Sequence, residues 1–513
     1  MYDDEPLPEH YDVDEPYGGA ELEVPLTPYD LDEPDDAPGR SAGRNFLFLA
    51  LSLLLIISLI GSSVLTIFIL TRQESRRVTA AGDIATPAPT AAPATVIAAV
   101  PTPPPTEAAP PTAAPLVNRI AIVNAQEQIE TMSPTGDNRR VLTLRSDNTA
   151  FQYPAWAPDG RHLAVIGSNN AGGAIYALED AARVGSLAKH RLYASNREVP
   201  FYLFWSPDSS HLAFLANHAG DQLGLNVVVG DGTEESRLLA TGAPFYWDWS
   251  DDSRQLLIHS GPNRDNNTLA LIGLNGETQA DNLAVPGFFQ APGIGGNGRY
   301  WAFAEEAGDG LSALVVVDTQ TGERQAHQEA GSLAFSWSPA QDQLAYTNGE
   351  INTHPFWGPL QLLDMAQGET RLLSAQTVLA FFWSPDGQSI AFVTLGGREE
   401  EEGINALAKT RHIGRLAAAP AQQGDGFLTL SVVDVATGSG LRLLDFQPTL
   451  AWLAQFLPYF DQYSLSHRIW SPDSSALVLP VHEAEEDVIL VVPAAGGAPF
   501  RLAEGDMAFW SHN

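Results

Sequence analysis

The chain has 513 residues, no cysteine, and 62 Asp and Glu against 27 Lys and Arg, for a net charge of −35. Without cysteine there are no disulfides, no thiolate catalysis and no cysteine-ligated metal centres. So large an acidic excess argues against a nucleic-acid partner, which needs clustered basic residues to neutralise phosphates.

Residues 1–43 are rich in Asp, Glu, Pro and Tyr, and such a segment cannot bury enough apolar area to offset the entropy of ordering. It is expected to be a disordered acidic tail. Three short copies recur in it, YDDEP (2–6), YDVDEP (11–16) and YDLDEP (29–34), and weak linked copies of this kind suit multivalent docking. Phe46 to Leu70 then runs 25 residues with neither charge nor proline. At ~1.5 Å per residue it can cross a ~30 Å hydrocarbon core with some tilt, so 45–71 is expected to be a single membrane span. It starts too late, runs too long and follows too acidic a tail for a cleaved signal peptide.

Arg72, Arg76 and Arg77 against Arg40 and Arg44 slightly favour a cytoplasmic C-terminal flank. The Pro/Ala/Thr-rich linker 72–116 argues the other way, because extended spacers of this composition hold a domain away from a surface. The expected arrangement is a cytoplasmic tail and an extracytoplasmic domain from 117 to 513.

That domain repeats itself. AWAPDGRHLAVI (155–166), FWSPDSSHLAFL (204–215), DWSDDSRQLLIH (248–259), SWSPAQDQLAYT (336–347), FWSPDGQSIAFV (382–393) and IWSPDSSALVLP (469–480) are near-copies, and FWSHN (509–513) is a truncated one. Each reads as a strand, a Pro-Asp turn and a half-buried strand. The tryptophans are Trp156, Trp205, Trp249, Trp337, Trp383, Trp470 and Trp510, at intervals of 49, 44, 88, 46, 87 and 40. A period in the forties with strand content points to propeller blades of four strands, A to D.

A second turn signal, as in VVVGDGTE (227–234) or VVDVATGS (432–439), marks the C–D corner and settles the long intervals. Two such corners lie between Trp249 and Trp337, so FFQAPGIGGNGRYWAFA (288–304) hides an A strand, with Ala291 expected in the Trp place. Only one lies between Trp383 and Trp470, so that interval is one blade with insertions. RIAIV (119–123) is a B strand with no A strand before it, and the chain ends on an A strand. The expected fold is all-β, an eight-bladed β-propeller with seven blades as the alternative, closed when the C-terminal strand completes the N-terminal blade.

WSPDG followed by an IAF-type strand resembles the TolB-type propeller repeat, and related blades occur in the propellers of prolyl-oligopeptidase-type enzymes. The resemblance covers nearly all of 119–513 and implies a fold and a binding role. It implies no substrate.

No G-x-S-x-G elbow is present in 117–513, and HEAEE (482–486) lacks the second His of a zincin helix. No calcium loop or phosphate-cradling loop is apparent, so no cofactor and no metal are expected. Asp159, Asp208, Asp386 and Asp473 recur one per blade after Pro and read as turn formers. The insertions 395–426 and 447–468 and the loop 348–359 fall on the B–C and D–A face of the disc. The second insertion carries Trp452, Phe456, Tyr459 and Tyr463 at helical spacing, so a short amphipathic helix is expected there, with Pro458 as a break.

A ligand-binding rim is expected from Phe356, Trp357, Tyr459, Asp461, Tyr463 and His467, with Arg411 and His412 nearby. The favoured function is a membrane-anchored, non-enzymatic binding module for a protein, peptide or glycan at the cell surface. The alternatives are a propeller hydrolase or lyase acting at the channel mouth, and a transmembrane sensor or scaffold component.

Overall fold

The computed structural model describes residues 118–512 apart from 145–147, 179–188, 220–221, 262–267, 288–289, 350–355 and 397–427. The expected tail 1–43, span 45–71 and linker 72–116 lie outside the described residues, as do Arg411, His412 and nearly all of the 395–426 insertion. Among the described residues no helix is long and apolar enough to cross a membrane.

The repeat folds as successive antiparallel meanders. β1 (Ile120–Val123), β2 (Ile129–Met132) and β3 (Arg140–Val141) come first. β4 (Ala150–Trp156), β5 (Leu163–Asn169), β6 (Gly172–Leu178) and β7 (Lys189–Ser195) form the next sheet. It is followed by β8 (Pro200–Trp205), β9 (His211–His218), β10 (Gln222–Val229) and β11 (Arg237–Gly242). A further sheet holds β12 (Phe245–Trp249), β13 (Gln255–Ser260), β14 (Thr268–Gly273) and β15 (Thr278–Ala280), and another β16 (Gly293–Gly295), β17 (Tyr300–Gly308), β18 (Leu311–Asp318) and β19 (Arg324–Ala330).

β20 (Ser332–Trp337), β21 (Gln343–Gly349) and β22 (Gly358–Asp364) run into the 15-residue β23 (Glu369–Trp383). β23 is the last strand of that meander and the first of the next, with β24 (Ser389–Leu395), β25 (Leu428–Asp434) and β26 (Gly440–Phe446). β27 (Ala476–Glu483), β28 (Glu486–Pro493) and β29 (Phe500–Glu504) pair with one another, and Trp470 bridges to Leu477 where a first strand would lie. The last strand, β30 (Met507–Trp510), pairs antiparallel with β1, Ile120 opposite Trp510, and so joins the two ends of the described chain.

Position within a meander dictates composition. Second and third strands such as β9 and β10 are buried over most of their length, because neighbouring sheets stack on both of their faces, and they read as near-continuous apolar runs. Fourth strands such as β11, β26 and β29 are mostly exposed and mix Arg with Leu or Phe. From the β4–β7 sheet onward, the pairing of third and fourth strands carries a register shift in every sheet. Bulges and cations on an outer edge discourage edge-to-edge pairing with other chains.

The repeated residues join one sheet to the next. Trp205 Nε1 donates to Ala155 O at 3.0 Å, Trp249 Nε1 to Phe204 O at 3.2 Å and Trp383 Nε1 to Ser336 O at 3.0 Å. Each acceptor is the residue just before the preceding tryptophan. Trp470 Nε1 donates to Phe382 O across 88 residues, so no further tryptophan sheet intervenes between 383 and 470. Trp156 Nε1 donates to Phe509 O, the residue before Trp510. The turns add a second set of links. Asp208 Oδ1 accepts from the Ser210 N–H within its own turn, and the Asp208 N–H donates to Ser253 Oγ in the next sheet. The Asp159 and Asp386 N–H groups do the same to Ser209 and Ser474.

The sheet without a tryptophan departs from expectation. Ile294, paired with Trp301, holds the place opposite the start of the second strand; Ala291, expected there, lies three residues earlier. Gly293–Gly295 is itself the first strand. Its glycines are required by close approach, since a Cβ on Gly295 would lie 2.2 Å from the Trp337 ring. With no indole at this junction, a carboxylate makes the link: Asp248 Oδ2 accepts the Ile294 N–H at 2.8 Å and Oδ1 the Trp249 N–H at 2.8 Å.

Candidate functional site

The second insertion determines what lies among the first strands of the sheets. Trp452–Phe456 forms one wide π-type turn, Leu457–Tyr459 a 3₁₀ turn, and Phe460–Ser466 a short α-helix, α1. Pro458 interrupts the winding as expected and leaves the helix to start afresh at Phe460. Ala454 and Pro458 are exposed, whereas Phe460, Asp461, Gln462, Tyr463, Ser466 and His467 are buried. The segment thus descends from solvent into the protein, where α1 packs against β8, β12, β20 and β23.

Its side chains meet strands from all around. The Phe460 ring lies 5.2 Å from Phe381, and Phe456 lies 5.7 Å from Phe509. Tyr463 is edge-on to Tyr202 at 4.9 Å, and His467 is edge-on to Phe509 at 4.7 Å. Gln462 is bonded at both ends: Oε1 accepts the Trp247 N–H at 2.9 Å, and Nε2 donates to Trp247 O at 2.9 Å and to Tyr202 Oη at 3.1 Å. Tyr202 Oη donates to Ser466 Oγ at 2.8 Å, which lies 2.7 Å from His467 Nδ1. Bonds from Gln462 and Ser466 to Trp247 and Tyr202 fix one orientation of the segment.

Burial governs the titratable groups here. It pushes the Asp461 carboxyl up to about 6 and holds the His467 imidazole down at about 3. The adjoining Asp248 is raised to about 7 and His259 lowered to about 4, again by burial first. Ser466 and His467 have the atoms of a nucleophile–base pair, but both are enclosed, and His467 is neutral through the physiological range.

The described members of the expected rim gather around α1, at different depths. Phe356 is buried with its ring 6.0 Å from Phe460, Trp357 and Tyr459 are half-buried, and Asp461 sits one residue into the helix. Tyr463 and His467 do not line a rim: they face inward onto Tyr202 and Phe509 and are closed off from solvent. Sequence reading missed Tyr246, which is half-buried and whose hydroxyl is held well above its ordinary value by burial and by the Asp461 charge. It also missed Gln462 and Asp248. The one available signal was an Asp at 248 where other copies place Ala, Phe, Ser or Ile before the tryptophan. Among the described residues, no group of three or more His, Asp and Glu is placed to hold a metal ion.

No family model and no curated protein matches the chain. Solved structures similar to it include a putative TolB from Agrobacterium tumefaciens, 18% identical over 51% of this chain and 90% of that one, TM-score 0.33. An oligogalacturonate lyase from Vibrio parahaemolyticus is 12% identical over 76% and 85%, TM-score 0.38. The β-propeller domain of the Trilobed protease from Pyrococcus furiosus is 11% identical over 69% and 95%, TM-score 0.38. The chain is similar to these proteins in fold alone.

Proposed function

We propose that this protein is a membrane-tethered, eight-bladed propeller that binds a peptide, protein or glycan on the face where residues 452–459 emerge, without transforming it. In this reading β30 closes the ring, the span at 45–71 anchors the chain, the acidic tail is cytoplasmic and the propeller extracytoplasmic. The observation that carries it is the filled centre. Residues 460–463, 466 and 467 are buried among the first strands, and Gln462 is bonded at both ends to the backbone of Trp247, so a ligand meets a surface rather than an open channel. Half-buried Trp357, Tyr246 and Tyr459 on that surface are the residue types that anchor recognition.

The test uses the full chain in lipid nanodiscs on glycan and peptide arrays, beside a Trp357→Ala, Tyr459→Ala double variant. Ligands retained by the wild type and lost by the variant support the reading, and arrays that retain nothing overturn it. Protease added to intact cells tests the orientation: cleavage in 72–116 that releases the propeller agrees with it, and protection contradicts it.

A further inference from the structure

Asp461 differs from the other polar side chains buried on α1. Gln462 is bonded at both ends, Tyr463 Oη accepts from Gln455 Nε2 at 2.8 Å, and Ser466 lies between Tyr202 and His467. Asp461 is 2% exposed; its Oδ2 accepts the Ala291 N–H at 2.8 Å, while its Oδ1 is buried with no hydrogen-bond partner among the described residues. The groups bearing on its charge are backbone N–H groups, with no cation among them. A buried carboxylate oxygen left in this state is destabilising unless something supplies a donor. Asp461 lies two residues from half-buried Tyr459, at the end of α1 nearer solvent, and its charge is felt by the half-buried Tyr246. The faces of tyrosine rings attract cations, and a carboxylate behind them adds a charge-assisted hydrogen bond.

We propose that Asp461 anchors one cationic side chain, a lysine or arginine of a peptide ligand, received between Tyr246 and Tyr459. The incoming ammonium or guanidinium donates to Oδ1 while Ala291 keeps Oδ2 in place, so the pocket is set before the ligand arrives. This rests on the reading that ligands land on this face, and it names what they must carry.

The experiment pans a random-heptapeptide display library against the full chain in nanodiscs at pH 7.5 in elevated salt, which suppresses attraction by the overall acidic charge. Selected peptides are then measured against Asp461→Asn. Asn keeps an acceptor for Ala291, and the variant's thermal midpoint, expected to be no lower than the wild type's at that pH, shows that it is folded. The expected result is enrichment of peptides sharing a Lys or Arg, each weakened about tenfold or more by Asp461→Asn and by replacing that residue with a neutral isostere. Wild-type affinity should also fall as pH drops through about 6, where the Asp461 carboxyl takes up a proton. Enriched peptides that lack a basic residue, or that bind Asp461→Asn equally well, overturn the inference and leave the binding reading standing. A library and glycan array that both yield nothing overturn the two together.

Discussion

Trp156 Nε1 donates to the carbonyl of Phe509 at 3.2 Å, across 353 residues of sequence. The same bond runs from Trp205 to Ala155 and from Trp249 to Phe204, so β30 meets β4 through the link used between consecutive sheets. Trp156→Phe should lower stability by about 1–2 kcal/mol by stranding a buried carbonyl. Deleting 505–513 should do far more, because it bares the edge of β1 and removes buried Phe509 and Trp510. Chemical denaturation and size exclusion would read these as a lowered midpoint and as self-association through the open edge.

Substituting Gln462 with Leu keeps the volume but abandons the N–H and C=O of Trp247 and one contact to Tyr202. A loss of about 2–4 kcal/mol is expected in equilibrium unfolding. Were 460–467 a loosely draped loop, the same change would register near zero.

The turn aspartates are expected to matter for folding alone. Asp208→Ala removes the acceptor for Ser206 Oγ, Ser210 Oγ and the Ser210 N–H, a change of about 1–2 kcal/mol. Ligand affinity measured on the folded variant should match the wild type.

The pH profile of stability follows from six groups that burial pulls from their ordinary values. Asp248 and Asp506 titrate near 7 and Asp461 near 6 when folded against 3.8 as ordinary carboxyls, so the folded state holds extra protons and gains stability as pH falls through those values. His259 titrates near 4, and His467 and His512 near 3, against 6.5, so the unfolded state takes protons first and stability is lost below 6.5. From pH 8 downward, Asp248 and Asp506 act first and stability rises until about 6. Below about 6 the three carboxyls and the three imidazoles offset each other and the profile levels until about 4. Asp461→Asn removes one of the compensating carboxyls, so its thermal midpoint should fall steadily over that range where the wild type's stays level. Parallel profiles would contradict the assignment.

The sheets were legible because each copy carries its own local signals, an alternating strand, a Pro-Asp turn and a tryptophan, and because C–D corners counted the sheets where tryptophans did not. The hidden first strand was found by that count but placed three residues early. What fixes Ile294 in register is a bond from Asp248 and the close approach of Trp337 to Gly295, and neither partner is a sequence neighbour. The aromatic spacing of 452–463 announced a helix and Pro458 its break. It could not announce depth, because the contacts that draw Gln462 and Tyr463 inward come from Trp247 and Tyr202, more than 200 residues away. Phe356 therefore meets that segment and Asp461 lies on it, while Tyr463 and His467 face the interior.

Hydrogen exchange of the full chain, followed by mass spectrometry through peptides covering 460–467, tests the filled centre most directly. Burial of these residues, with the His467 N–H bonded to Tyr463 O, predicts that they exchange as slowly as β8 and β12 and open only with the whole domain. Exchange at the rate of an exposed loop, while the strands stay protected, would contradict it.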